Sequence, residues 1–195
     1  AGEEKDLGGA APPPPRRCGR GHYGALLVAS RSEQRAVLVI RGSQNPMPHG
    51  GQPADRRSGV RDWATNVDAF TTLTDSAVAE ESRGLDVHGG VHQRAKEVHR
   101  DLGGALVQLA SAGYTVELSG HSLGGGVAAM LLHLQRLDRR SLAGAAVEAK
   151  HCVAFAPPAC VDPLLAKELG GGGGDGSVLS VLLGDDVVPR TCARN

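Results

Sequence analysis

Residues 115–126 read Thr115-Val116-Glu117-Leu118-Ser119-Gly120-His121-Ser122-Leu123-Gly124-Gly125-Gly126, and the reading of this stretch decides the fold. Tyr114 to Leu118 is a strand-like run. Leu123 to Leu137 is helix-like, with Val127, Met130, Leu131 and Leu134 at i, i+3, i+4 and i+7. The five residues Gly120-His121-Ser122-Leu123-Gly124 that join them fit the pattern G-x-S-x-G. A strand that reverses into a helix within so few residues forces backbones together. Only residues without a Cβ fit there, and the serine is held in strained φ/ψ space. Such a turn lifts the Ser122 hydroxyl above the sheet edge at a helix N-terminus. Free backbone N–H groups and the helix dipole favour developing negative charge at that point.

Working outward, composition sets the bounds. A chain of 195 residues is long enough for one domain with a real core. Lys+Arg and Asp+Glu are balanced at 21 each, so charge gives no argument for a nucleic-acid partner. No apolar run reaches the ~18 residues of a transmembrane helix. Residues 1–21 carry the proline run Pro12 to Pro15 followed by Arg16 and Arg17, and are expected to be a disordered lead-in to one domain over 22–195. The chain starts at Ala1 and is expected to be part of a longer protein, truncated at its C-terminal end. Its expected location is the cytoplasm or the periphery of a membrane, with room for an upstream membrane segment. Cys18, Cys152, Cys160 and Cys192 show neither a C-x-x-C pair nor metal-ligand spacing, which favours free thiols over a disulfide framework.

The flanking segments supply strands and helices in an order that suits a mostly parallel sheet. Tyr23 to Ser30 and Ala36 to Ile40 read as a β-hairpin across a polar turn, and the second strand exits through Arg41-Gly42-Ser43. Asp62 to Val67 reads as a short helical or turn segment, with Trp63 expected in the core. Thr71 to Leu85 reads as a surface loop or lid. Val91 to Ala112 has helical spacing weakened by Gly103 and Gly104, and Gly113 is a good stop. His151 to Ala156 is the next strand. Asp162 caps a short helix with Pro163 at its first position, and five glycines, Gly170 to Gly174, make a loop. Ser177 to Leu183 reads as a buried strand running into Gly184-Asp185-Asp186. The expected fold is α/β, with a mostly parallel central sheet and helices on both faces.

A serine hydroxyl needs a histidine to take its proton and a carboxylate to orient that histidine. On a strand–elbow–helix of this kind, the α/β-hydrolase arrangement, the order along the chain is Ser, then Asp or Glu, then His. Ser122 is followed by Asp185 or Asp186 at the end of a later strand. The eight histidines, His22, His49, His88, His92, His99, His121, His133 and His151, all precede them. The elbow turns His121 away from Ser122, and His88 and His92 are expected to be structural. The amide of Leu123, directly after the nucleophile, and that of Ser43 are the candidate donors to an oxyanion. No metal or cofactor is called for.

Six stretches taken together resemble the class 3 (fungal-lipase-like) lipases. They are V-L-V-I-R-G-S at Val37 to Ser43, D-W-A-T-N-V at Asp62 to Val67, V-H-G-G-V at Val87 to Val91, S-G-H-S-L-G-G-G at Ser119 to Gly126, A-F-A-P-P at Ala154 to Pro158 and V-L-L-G-D-D-V-V-P-R at Val181 to Arg190. The last two are most similar to sn-1-specific diacylglycerol lipases and their plant and algal relatives. The resemblance implies an α/β-hydrolase with Ser122 as nucleophile, Asp186 as triad acid, and Ser43 and Leu123 as oxyanion-hole residues. It also implies a triad histidine further toward the C-terminus than any histidine here, so residues 1–195 alone are expected to show little or no hydrolysis. The implied activity is an acylglycerol lipase acting on a lipid ester at a membrane or lipid-droplet surface, without a cofactor. Two alternatives stand beside it. One is a phospholipase A1 or carboxylesterase of the same chemistry, and the other is a lipid-binding fragment without a base.

Overall fold

A computed structural model describes residues 24–43, 70–72, 86–141, 149–170 and 176–190. The expected lead-in, the Asp62 to Val67 segment with Trp63, and most of the glycine loop fall outside the described residues. In chain order the elements are β1 (Ala25–Ser30), β2 (Arg35–Ile40), β3 (Phe70–Thr72), β4 (Asp86–His88), α1 (Gly89–Ser111), β5 (Thr115–His121), α2 (Leu123–Ser141), β6 (His151–Phe155), α3 (Pro163–Gly170) and β7 (Ser177–Val181). A 3₁₀ turn follows at Val188–Arg190.

The central sheet has five strands in the order β1-β2-β5-β6-β7. β1 and β2 form the expected antiparallel hairpin, with Ala25 opposite Ile40 and Ser30 opposite Arg35. β2, β5, β6 and β7 run parallel. Side chains alternate in and out along each strand. Ala36, Leu38 and Ile40 on β2, Val116 and Leu118 on β5, and Cys152 and Ala154 on β6 are buried. The register lines up Leu38, Leu118, Cys152 and Val178 across the sheet. Onto this row pack the apolar stripe of α1 (Val91, Ala95, Val98, Leu102, Leu106), the face of α2 around Val127 and Leu131, and Leu165 and Leu169 of α3. Burying each such leucine stabilises by about 1.5–3 kcal/mol.

Helix ends follow local chemistry. α1 runs unbroken through Gly103 and Gly104. It stops in a Schellman motif: Gly113 sits at φ +86, its amide donates to the Ala110 carbonyl at 2.9 Å, and the Tyr114 amide donates to the Leu109 carbonyl at 3.0 Å. At α3, Asp162 Oδ1 accepts from the Leu164 amide at 2.5 Å, as the capping role requires.

Two segments depart from the expectation. Thr71 and Thr72, the start of the expected loop or lid, instead join Phe70 in β3, which pairs with β4, Phe70 lying opposite His88. β4 is held from its other side as well, because the His88 amide donates to the Cys160 carbonyl and the Asp162 amide to the Asp86 carbonyl, both at 2.9 Å. Among the described residues β7 pairs on one side only, with β6, and it ends at Val181; it is exposed rather than buried, Leu179 being 61% exposed. An apolar run tells nothing about whether both its faces are covered. Among the described residues, α1, α2 and α3 cover one face of the sheet. The other face exposes Leu26, Val28, Val39, Phe155, Leu179 and Val181. No described helix is long and apolar enough to cross a membrane.

α2 lies against the sheet at very short range. A Cβ on Gly124 would stand 2.2 Å from the Ile40 carbonyl oxygen, backbone that cannot yield. Gly104, by contrast, is exposed on α1 with nothing within 4 Å of where a Cβ would be. Gly124→Ala is therefore expected to destabilise by about 3 kcal/mol or more. Gly104→Ala should stabilise by about 0.5–1 kcal/mol. Urea unfolding of the two variants checks the pair.

Cys152 and Cys160 are free and buried, and burial pushes both thiols from 9.0 up to about 12. The folded chain thus keeps its protons where the unfolded chain sheds them. Stability is full below pH 9 and falls as pH rises from about 9 towards 12. Urea midpoints measured from pH 8 to 11 should fall along that range, and the double variant Cys152→Ala, Cys160→Ala should fall less steeply.

Candidate active site

The four candidate residues sit at or just beyond the carboxyl ends of parallel strands, where open α/β sheets present their ligand crevice. Ser43 follows β2, Ser122 and Leu123 follow β5, and Asp186 follows β7.

Ser122 is the junction between β5 and α2 and has φ +54, a left-handed conformation that costs a residue with a Cβ about 1–3 kcal/mol. Backbone bonds hold it there. Its amide donates to the Phe155 carbonyl at 2.8 Å, and its carbonyl accepts from Gly125 at 2.9 Å and Gly126 at 3.2 Å. The first bond ties the elbow to β6, and the other two start α2. Gly120 makes the turn possible from below, since a Cβ there would lie 2.2 Å from the Gly124 oxygen. Ser122 is half-buried and Leu123 buried. The Leu123 amide belongs to the first helical turn, whose donors have no intrahelical acceptor.

β2 reaches the same place through Gly42. A Cβ on Gly42 would meet the His121 carbonyl oxygen at 2.8 Å and the Ser122 Cβ at 3.4 Å. The absence of a side chain lets the strand exit pass directly beside the elbow, and the next residue, Ser43, is exposed at this rim.

On the far side, β7 meets β6 through the bond from the Ala156 amide to the Val181 carbonyl at 2.9 Å. Five residues on, Asp186 is half-buried, and its Oδ1 accepts from the Val188 amide at 3.0 Å. Its neighbour Asp185 points into solvent, fully exposed, 3.7 Å from Arg190. Residue type alone left two candidates, the resemblance implied Asp186, and the two aspartates differ in exposure.

Ala156 was not singled out from the sequence. It is nearly buried and has φ +46, next to the carbonyl that holds Ser122. The Pro157-Pro158 pair after the strand favours extended backbone at the preceding residue, so it gave no warning of this left-handed conformation.

The described histidines divide by place. His88 is buried at the end of β4, with its amide on Cys160. His121 is exposed and faces away from the helices, as the turn geometry predicts. With Leu26, Val39, Arg41 and Phe155 it lines a groove of about 770 Å³ on the open face of the sheet, and Ser122 is not among the lining residues. The buried thiols, pushed up to about 12, remain protonated at neutral pH and are poor nucleophiles beside the serine. Among the described residues no group of three or more His, Cys, Asp or Glu side chains is placed to hold a metal ion.

Comparison with known proteins gives the same outline. Mouse diacylglycerol lipase-beta is 36% identical over 174 residues, which is 87% of this chain and 22% of that protein. Rhizomucor miehei triacylglyceride lipase superposes with a TM-score of 0.61 at 21% identity, over 88% of this chain and 57% of its own. A triacylglycerol lipase whose catalytic centre is described as a serine protease triad superposes with a TM-score of 0.59 at 23% identity, over 86% of this chain and 55% of its own. The chain thus spans about a fifth of the curated relative and a little over half of these solved structures. The fold is that of the fungal lipases, an α/β-hydrolase. The family model described as Lipase (class 3) matches residues 55–195, and the chain belongs to the class 3 lipase family.

Proposed function

We propose that this chain supplies the nucleophile, the oxyanion hole and the acid of an acylglycerol lipase, and that diacylglycerol is its substrate class. The observation that carries the reading is the left-handed Ser122 at the head of α2, with the end of β2 against it. Strain at a single half-buried serine, held by three backbone bonds, is expected of a positioned nucleophile. The substrate class follows the diacylglycerol lipase that the chain resembles at 36% identity.

In this mechanism Ser122 Oγ attacks the ester carbonyl carbon while a histidine imidazole takes its proton. The carbonyl oxygen becomes an oxyanion between the amides of Leu123 and Ser43, and each such donor is worth about a hundredfold to a thousandfold in rate. The tetrahedral intermediate collapses, the imidazolium protonates the departing glycerol oxygen, and the acyl group stays on Ser122. Water, deprotonated by the same imidazole, then releases the fatty acid. Asp186 spends one oxygen on the Val188 amide and keeps the other for the imidazole N–H. The family arrangement puts the base after the acid in the chain, and none of the histidines in residues 1–195 follows Asp186. Assays therefore use the full-length protein, with substrate in vesicles or droplets, since diacylglycerols do not disperse in water.

A fluorophosphonate probe is expected to label the full-length protein at Ser122, and Ser122→Ala should abolish both labelling and turnover. Asp186→Asn should lower kcat by about 10⁴-fold. Labelling that persists in Ser122→Ala would contradict the assignment. In a substrate panel diacylglycerol should be cleaved faster than phospholipid; the reverse order would make the protein a phospholipase A1 of the same fold.

A further inference from the structure

The loop that carries Asp186 is short of packing. It leaves β7 at Leu182, returns at Arg190, and exposes Leu182, Leu183 and Val187 on the way. Its internal bonds are local. Gly184 turns it with φ +50. The Asp186 amide donates to the Leu183 carbonyl at 3.2 Å, and the Arg190 amide to the Val187 carbonyl at 2.9 Å. One side-chain contact spans the loop from end to end: Arg190 Nη2 donates to the Gly184 carbonyl oxygen at 3.0 Å. The same nitrogen lies 3.7 Å from Asp185 Oδ1, an ion pair between two exposed groups.

We infer that Arg190 is a positioning residue for Asp186, acting through the Gly184 carbonyl. It closes the segment from Gly184 to Arg190, and Asp186 belongs to that segment, with its Oδ1 accepting from the Val188 amide. Closure fixes the direction of the second carboxylate oxygen, and with it the imidazole that this oxygen orients. A carboxylate on an open loop samples other directions, and a shift of about 1 Å in a catalytic group costs up to about a hundredfold in rate. The ion pair to Asp185 contributes little, because exposed pairs at this range are worth almost nothing. This inference rests on the reading of Asp186 as the triad acid.

The test uses the full-length protein, a soluble p-nitrophenyl ester, and fluorophosphonate titration to count competent sites. Arg190→Met is expected to lower kcat per titrated site about tenfold with KM unchanged. Arg190→Lys, which keeps a donor within reach of the Gly184 carbonyl, should recover to within about threefold of the parent. Asp185→Asn should turn over like the parent. Three results would overturn the inference. One is parental kcat per site in Arg190→Met, which includes the case where that variant only loses titratable sites, as a merely structural role would give. Another is an Asp185→Asn variant that reproduces the Arg190→Met loss. The third is an Arg190→Lys variant as slow as Arg190→Met. Asp186→Asn is assayed beside them: parental turnover there removes Asp186 from the triad and takes this inference with it, whereas a dead Asp186→Asn beside a normal Arg190→Met leaves the acid in place and removes only the clamp.

Discussion

The first turn of α2 lies directly against the strand ends beneath it. At Gly120 and Gly124 there is no room for one methyl group, since the neighbouring backbone oxygen stands 2.2 Å from where each Cβ would be. Much else follows from that contact. The helix starts directly on the sheet, so β5 must reverse in a single residue. That residue takes φ +54 at the head of α2. The first-turn amides of a helix have no intrahelical acceptor. A looser helix would relieve the strain and move the hydroxyl, the amides and the dipole apart.

The strand order extends this local constraint into a row. β2 passes the elbow through Gly42, β6 holds the Ser122 amide through the Phe155 carbonyl, and β7 joins β6 through Ala156 and delivers Asp186. Each neighbour is tied to the next by backbone, so side-chain changes in the core alter stability before they alter the placement of these strand ends. The acid loop is the exception. Among the described residues its hydrogen bonds are local ones, with Arg190 bonded across it to Gly184. The buried thiols of Cys152, on β6, and Cys160 couple the fold to alkaline pH.

Much of this was legible in the sequence, for identifiable reasons. The elbow could be read because its glycines are forced by sterics and the period changes from two to 3.6 across Ser122. The hairpin from Ala25 to Ile40 could be read because two short apolar runs flank the polar turn Arg31 to Arg35. The Gly113 stop and the Asp162 cap are local chemistry and appeared where expected. What failed depends on distant partners. β3 and β4 have three residues each and exist because they pair with each other and because Val87 of β4 bridges to Val161, which no local pattern encodes. β7 looked buried because Ser177 to Leu183 is apolar throughout, yet coverage of a face is decided by other segments. Residue type could not separate Asp185 from Asp186, so the choice of Asp186 came from the V-L-L-G-D-D-V-V-P-R resemblance, and the fold leaves it half-buried beside an exposed Asp185.

The central claim is that the strained Ser122 hydroxyl attacks esters while the amides of Leu123 and Ser43 receive the oxyanion. A crystal structure of the full-length protein after reaction with a fluorophosphonate tests it most directly. The account predicts phosphorus bonded to Ser122 Oγ and its phosphoryl oxygen about 2.7–3.1 Å from both amide nitrogens. Phosphorus on another side chain, or a phosphoryl oxygen turned away from both amides, would contradict it.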